Sequence, residues 1–177
     1  MLGVDLIYNN QTTGSIVMVQ YKMLESKRYS KTGAKDWIAR YDSQFEKEVQ
    51  RMIFPELKTE AEDYRLNRNP FFIKFVRRVG DGENHNSFVL SLDHFQKLIK
   101  SPAGKGRFGG VRVSYESLEG VYLRDSDFLG LIRSGYIGTH KEQSKALASI
   151  ISKVAEGDRA VVVAWQRLMT VAGKPGH

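Results

Sequence analysis

The N-terminal two dozen residues contain two short apolar runs separated by a polar connection. Residues 3–8 are mostly apolar, and residues 16–23 are rich in Val, Ile and Met. The seven residues between them, Asn-Asn-Gln-Thr-Thr-Gly-Ser, have the composition of a turn between strands. The sequence therefore predicts a pair of neighbouring antiparallel strands.

Polar side chains interrupt both strands at particular positions. Asp5 opens the first strand, whereas Gln20 and Lys22 lie near the end of the second. Because side chains alternate between the two faces of a strand, Gln20 and Lys22 share a face. We expect a carboxylate, an amide oxygen and an ammonium group to converge there.

This arrangement of Gly3-x-Asp5, a hairpin and an apolar strand ending in Gln20-x-Lys22 resembles the PD-(D/E)xK nuclease superfamily. The variant it resembles is the Gln-x-Lys form of Mrr-type restriction enzymes, over roughly the first 25 residues. The resemblance implies an α/β or α+β fold, in which helices flank a mixed central sheet with a restriction-endonuclease-like core. It implies that Asp5, Gln20 and the main-chain carbonyl of Tyr21 bind Mg²⁺ or Mn²⁺, and that Lys22 orients the attacking water. Asp5, Gln20 and Lys22 are thus the expected catalytic residues of a DNA-cleaving endonuclease, with restriction or defence as an extension by family analogy.

The residue types suit this chemistry, but other interpretations remain open. Mg²⁺ prefers oxygen ligands and is commonly held by one or two carboxylates, so a neutral Gln20 predicts weaker binding than a second acid would give. The same residues also fit an ordinary amphipathic hairpin whose polar side chains face solvent. A non-catalytic nucleic-acid-binding or assembly subunit on a degenerate nuclease fold is the competing function.

Composition limits the class of protein. The chain has 177 residues, 41% of them hydrophobic and 27% charged, which predicts one globular domain over residues 1–177. Within it, residues 3–78 hold the core motif, and residues 84–177 hold a C-terminal elaboration or completing elements. The chain has no cysteine, which excludes disulfides and thiol catalysis. No apolar run reaches the ~18 residues of a membrane span and no secretion signal is visible, so we expect a cytoplasmic protein without a membrane partner.

Basic residues outnumber acidic ones and occur in clusters. Lys plus Arg number 27 against 20 Asp plus Glu, giving a net charge of +7. This excess favours a polyanionic partner, here double-stranded DNA, although each cluster taken alone also fits a solvated surface. The residues expected to contact nucleic acid are Lys27, Arg28, Lys31, Lys35, Arg77, Arg78, Lys105 and Arg107.

The remaining chain alternates between helical and strand patterns. Helices are predicted over residues 34–54, 91–101, 126–133 and 140–156, and strands over residues 71–76, 87–90, 111–115 and 160–165. Residues 25–33 are expected to form a basic loop, and residues 121–123 to pair with the strand 111–115. The strand 160–165 is apolar on both faces, which is typical of a central strand. The four histidines are expected at the surface or in caps.

The family normally has a helix and a strand before the Gly-x-Asp strand, and that helix often supplies another Glu. Only two residues precede Gly3 here. Three explanations stand: the start of the domain is missing, another chain or a second copy supplies it, or residues 140–156 and 160–165 take its place. The third predicts that the strand containing Val162 lies in the same sheet as Asp5, with Glu142 or Glu156 near the metal.

Overall fold

The computed structural model describes residues 3–28, 35–53, 64–67, 69–77, 87–106, 110–140, 144, 147 and 162–166. The strands are β1 (Leu6–Asn10), β2 (Ser15–Arg28), β3 (Lys35–Arg40), β4 (Phe71–Arg77), β5 (Ser87–Ser91), β6 (Arg112–Ser114) and β7 (Val162–Gln166). The helices are α1 (Ser43–Gln50), α2 (Leu92–Lys100), α3 (Tyr115–Leu118) and α4 (Asp125–Ser134), and a 3₁₀ turn covers Pro102–Gly104.

The seven strands form one mixed sheet in the order β5-β4-β2-β1-β7, with β3 joined to β2 and β6 joined to β3. The pairs β1–β2, β4–β5, β2–β3 and β3–β6 are antiparallel, whereas β2–β4 and β1–β7 are parallel. The predicted α/β class with a mixed sheet and flanking helices is therefore confirmed.

The predicted N-terminal hairpin is also confirmed. Strands β1 and β2 pair in register from Leu6 opposite Val19 to Asn10 opposite Ser15. The Oδ1 atom of Asn10 accepts hydrogen bonds from the amides of Thr12 at 3.0 Å and Thr13 at 3.2 Å. Asn10 thereby satisfies backbone donors of the turn, the usual role of an Asn at such a site.

The sheet separates two apolar clusters. On one face, Ile7 and Met18 belong to a cluster that includes Phe45 of α1 and Phe95 of α2. On the other face, Val17, Val19 and Phe72 pack with Phe128 and Ile132 of α4. We call these the α1/α2 face and the α4 face. Gln20 and Lys22 follow Met18 at two-residue intervals, so both belong to the α1/α2 face.

The long helix predicted over residues 34–54 is wrong in its first half. Residues 35–40 form β3, and α1 begins only at Ser43, where the side chain of Asp42 accepts a hydrogen bond from the amide of Phe45 at 2.8 Å. The basic loop predicted over residues 25–33 is wrong for residues 25–28, which continue β2 and pair with β3, and residues 29–33 lie outside the described residues. Apolar residues at helical spacing ran across this boundary, whereas one partner of β3, the end of β2, was itself predicted as a loop and the other, β6, is distant in sequence.

Two further strand predictions need correction. Leu123 bridges Val89 of β5 instead of pairing with β6, and β6 pairs with β3. Strand β7 lies at the edge of the described part of the sheet instead of at its centre, and Val162 is 62% exposed.

The prediction that the Val162 strand joins the sheet of the Asp5 strand is confirmed. Strand β7 runs parallel to β1, with Leu6 opposite Val162. Of the predicted helix 140–156, the structure describes helical Ser144 and Leu147, and Leu147 is buried in the same cluster as Ile7. Glu142 and Glu156 lie outside the described residues.

Candidate functional site

Asp5 is fixed against the strand that carries Gln20 and Lys22. Its amide donates to the carbonyl of Val19 at 2.9 Å. Its Oδ2 atom accepts a hydrogen bond from the amide of Tyr21 at 2.9 Å. The exposed carboxylate of Asp5 is thus tied to the residue between Gln20 and Lys22.

Gln20 is buried, with only 6% of its surface exposed. Its Nε2 atom donates a hydrogen bond to the carbonyl of its neighbour Tyr21 at 3.3 Å. The main chain of Tyr21 therefore interacts through its amide with Asp5 and through its carbonyl with Gln20. The Gln20 side-chain amide and the Asp5 carboxylate are therefore both hydrogen-bonded to the main chain of the same residue.

Lys22 forms an ion pair with Glu48, a residue that the sequence did not single out. The two side chains are 18% and 11% exposed, and the Lys22 ammonium lies 4.5 Å from the centre of the Phe45 ring. Oε1 of Glu48 accepts a hydrogen bond from Nε2 of Gln44 at 3.4 Å. Charged groups this poorly hydrated are costly unless paired, so the pair fixes the position of the ammonium group.

Helix α1 brings Glu48 to this position through its packing. Phe45, Glu48 and Val49 are the buried residues of α1. Glu48 thus occupies the apolar stripe of the helix, three residues after Phe45, and a charged residue in such a stripe is a signal visible in sequence. Gly3 allows α1 to approach closely, because a Cβ atom there would lie 2.6 Å from the carbonyl oxygen of Glu48.

The Tyr21 side chain projects to the opposite, α4 face of the sheet. There the Lys74 ammonium lies 5.8 Å from its ring centre. Burial, followed by the charge and hydrogen bond of Tyr8, raises the pKa of Tyr21 to about 12. The phenol is therefore neutral at physiological pH, and Tyr21 offers only main-chain groups to the Asp5 side.

The oxygen chemistry of the site fits Mg²⁺ or Mn²⁺. Asp5 supplies a carboxylate, Gln20 an amide oxygen and Tyr21 a carbonyl, and hard oxygen ligands are the preferred donors of these ions, whereas the Glu48 carboxylate is paired with Lys22. Within the ranges given above, no group of three or more His, Cys, Asp or Glu residues has the geometry to hold a metal ion. The site thus offers few carboxylates, which is compatible with an ion that retains several waters.

The residues predicted to contact nucleic acid differ in their exposure, and some lie outside the described residues. Lys105 is exposed, Lys27 is partly exposed, and the guanidinium of Arg77 lies 5.2 Å from the Trp37 ring centre and 4.7 Å from that of Tyr115. Arg28 and Lys35 are described only in their backbones, whereas Lys31, Arg78 and Arg107 lie outside the described residues. The structure therefore does not bring these eight residues into one described surface.

His140 and Lys74 both interact with charged side chains. His140 is 8% exposed, and its Nδ1 atom lies 2.7 Å from a guanidinium nitrogen of Arg65, which is 9% exposed. Of the two positions predicted for this histidine, surface or cap, the surface position is therefore wrong. Lys74 forms an ion pair with Asp125 at 3.0 Å, and Asp125 also accepts a hydrogen bond from the Ser87 hydroxyl at 2.6 Å.

No protein-family model, curated protein or solved structure matches the chain. In the part of the chain that the structure describes, no helix has both the length and the apolar character needed to cross a membrane. A function is therefore inferred from the geometry of the residues around Asp5.

Proposed function

We propose that the protein is a metal-dependent phosphodiesterase that cleaves DNA, with Asp5, Gln20 and Lys22 as its catalytic residues. The observation that carries this proposal is the hydrogen bond from the Tyr21 amide to the Asp5 carboxylate. It ties Asp5 to the tripeptide Gln20-Tyr21-Lys22 across an antiparallel hairpin. The same placement supports the resemblance to the PD-(D/E)xK superfamily.

Each group has a defined role in this proposal. Asp5, Gln20 and the Tyr21 carbonyl would hold Mg²⁺ or Mn²⁺, and the bound ion would lower the pKa of a water and neutralise charge on the phosphate. Lys22 presents an ammonium group to the scissile phosphate. Its ion pair with Glu48 fixes that ammonium in advance, so less reorganisation is needed when the phosphate arrives.

The proposed substrate is double-stranded DNA in the cytoplasm, in restriction or defence. A net charge of +7 supports a polyanionic substrate. Exposed Lys105 and partly exposed Lys27 are available for phosphate contacts. A second copy or a partner chain would add further basic residues to these two lysines.

A nicking assay tests the proposal directly. Supercoiled plasmid is incubated with purified protein in Mg²⁺ or in EDTA, and relaxed and linear products are counted. We expect metal-dependent cleavage that is lost in Asp5→Ala and Lys22→Ala. Lys47→Ala is the matched control, because Lys47 is an exposed lysine of α1 next to Glu48 and its loss removes the same charge. If Lys22→Ala cleaves DNA as fast as the wild type, Lys22 does not have the catalytic role assigned to it.

The Gln20→Glu variant tests the metal assignment separately. It restores a second acidic ligand at a buried position, so we expect a lower Mg²⁺ concentration at half-maximal activity than in the wild type. Metal binding by Asp5→Ala equal to that of the wild type, measured by calorimetry, would place the metal elsewhere.

A second function, nucleic-acid binding without cleavage, is favoured by a different observation. The Lys22 ammonium is paired with Glu48 and the Gln20 amide nitrogen bonds the Tyr21 carbonyl, so these groups already have partners. This interpretation predicts DNA binding that is unchanged by Mg²⁺ and no nicking under any metal condition.

A further inference from the structure

A second site lies on the α4 face of the sheet. It is a pocket of about 680 Å³, whose floor is formed by Phe72 and Val89 and whose wall includes Leu131 and Ile137. Phe72 and Val89 are 1% and 0% exposed and belong to the apolar cluster of the α4 face. The pocket lies beside β5, where α2 begins, and neither Gln20 nor Lys22 lines it.

Two apolar side chains flank this pocket and remain largely in solvent. Leu66 is 70% exposed and Val121 is 65% exposed. The segments that carry them are fixed, because the Leu66 amide donates to the Tyr136 carbonyl at 2.9 Å and Leu123 exchanges two backbone hydrogen bonds with Val89. The pocket is thus preformed, and its exposed flanks offer apolar area that a ligand could cover.

One side of the pocket is polar and is built by α2. Asp93, His94 and Lys97 line it, and Asp93 accepts a hydrogen bond from the side-chain amide of Asn69 at 3.1 Å. Lys97 is exposed and forms no ion pair with any carboxylate among the described residues. Burial, followed by the charge of Lys97, lowers the pKa of His94, so this ring is neutral at pH 7. Lys97 is therefore the cation that the pocket presents to a ligand.

We propose that this pocket binds a small apolar carboxylate, with the apolar body between Leu66 and Val121 and the head group at Lys97. The volume lies within the roughly 300–1,000 Å³ typical of small-molecule sites, and an apolar lining with few polar groups is their usual character. The Lys97 ammonium attracts an anionic head group, whereas the Asp93 carboxylate on the same side of the pocket is hydrogen-bonded to the Asn69 side chain. The site is independent of the phosphodiesterase proposed above.

Two fluorescent probes of matched shape test both halves of the proposal. 8-Anilinonaphthalene-1-sulfonate and N-phenyl-1-naphthylamine share an aromatic body, but only the first is an anion. We expect Lys97→Gln to weaken sulfonate binding by about tenfold, typical of a lost charge-assisted contact, and to leave the neutral probe within about twofold. Lys100→Gln is the control, since Lys100 lies on the same helix outside the pocket lining. Equal losses of sulfonate affinity in Lys97→Gln and Lys100→Gln would overturn the proposal that Lys97 binds an anionic head group.

The apolar flank is tested with Val121→Ser, which we expect to weaken both probes. Ile53→Ser is its control, because Ile53 is 71% exposed and does not line the pocket. Decanoate should displace the sulfonate from wild-type protein, and failure to do so overturns the carboxylate class. If sedimentation shows a dimer for the wild type and a monomer for Val121→Ser, the apolar flank is a contact between copies of the chain. That result would also overturn the proposal.

Discussion

Lys22 is held by two neighbours of different character, the Glu48 carboxylate and the Phe45 ring. Attraction to a ring face adds roughly 0.5–2 kcal/mol, depending on how far the cation is desolvated. Removal of one partner of a buried ion pair costs more, about 3–5 kcal/mol, because the other charge stays behind in poor solvent. The ion pair is therefore the dominant interaction of Lys22 in the folded protein.

We predict that Lys22→Met lowers the free energy of unfolding by about 2–3 kcal/mol, somewhat less than for a fully buried pair. Met preserves the apolar stem but leaves the Glu48 carboxylate unpaired. The double variant Lys22→Met with Glu48→Leu should recover most of the loss, since neither charge remains. Urea unfolding at pH 7 measures the stability of both variants, and the control Lys47→Met should change the free energy of unfolding by close to zero. A Lys22→Met midpoint equal to that of the wild type would show that the pair is weak.

Tyr21 provides a prediction on alkaline pH. Its pKa of about 12 in the folded protein is above the ordinary value of 10.0, because burial disfavours the phenolate. Its contribution to stability is therefore complete below pH 10 and is lost as the pH rises toward 12. We expect the stability of the wild type to fall more steeply over this window than that of Tyr21→Phe, measured by urea unfolding. Absorbance at 295 nm should show one late-titrating phenol fewer in the variant.

At the residue scale, the placement of Asp5 beside the strand that carries Gln20 and Lys22 was predictable, because it follows from strand alternation and a short turn, and the catalytic role of these residues stays a prediction. Glu48 was missed, since nothing local links a helix residue to a lysine 26 positions earlier. The buried environment of Arg65 and His140 was missed for the same reason.

At the element scale, the cap at Ser91 was a reliable local signal, whereas β3, which pairs with a mispredicted part of β2 and with the distant β6, was predicted as helix. Helix α2 follows its predicted cap, because the Ser91 hydroxyl accepts a hydrogen bond from the His94 amide at 3.2 Å. Strand β3 was predicted as helix because Trp37 and Ile38 fit the apolar spacing that continues to Phe45. Asp42 was the available signal for the true helix start.

We predict that replacing Gly3 by alanine lowers the stability of the protein and that replacing Gly130 by alanine raises it. Gly3 has φ of 64°, and an added Cβ would lie 2.6 Å from the Glu48 carbonyl oxygen, so Gly3→Ala should destabilise the protein by about 1–3 kcal/mol. Gly130 lies within α4 with nothing within 4 Å of an added Cβ, so Gly130→Ala should stabilise by up to about 1 kcal/mol. Thermal unfolding measures both. A neutral Gly3→Ala would mean that β1 and α1 can separate at little cost.

At the scale of the whole molecule, the sheet joins segments from both ends of the chain. The α/β class was predictable from the alternation of strand and helix patterns, but the neighbours of each strand were not. Leu123 bridges Val89 of β5, and β7 extends the sheet beside β1. Such pairings connect residues far apart in sequence, and their choice depends on burial of the complete core.

The C-terminal segment therefore contributes to the same core as the N-terminal hairpin. Thr139 is fully buried, and its hydroxyl accepts a hydrogen bond from the Ile16 amide at 2.9 Å. Leu147 packs in the cluster of Ile7, and β7 pairs along the whole of β1. Loss of these contacts would expose β1 along one edge and uncover apolar side chains of the hairpin.

We predict that a chain ending at Gly138 does not fold cooperatively. At roughly 25 cal/mol per Å² of apolar burial, the loss of a strand and a helix face removes several kcal/mol from a total that is typically about 5–15 kcal/mol. Circular dichroism during urea titration should show a broad transition for the truncated chain and a sigmoidal one for the full chain. Val162→Ser in the full chain is the control, because that side chain is 62% exposed and its loss leaves the backbone pairing of β7 intact. A sigmoidal transition of the truncated chain at the wild-type midpoint would mean that the hairpin, β4, β5 and their helices are stable without β7, and that the edge of β1 tolerates exposure.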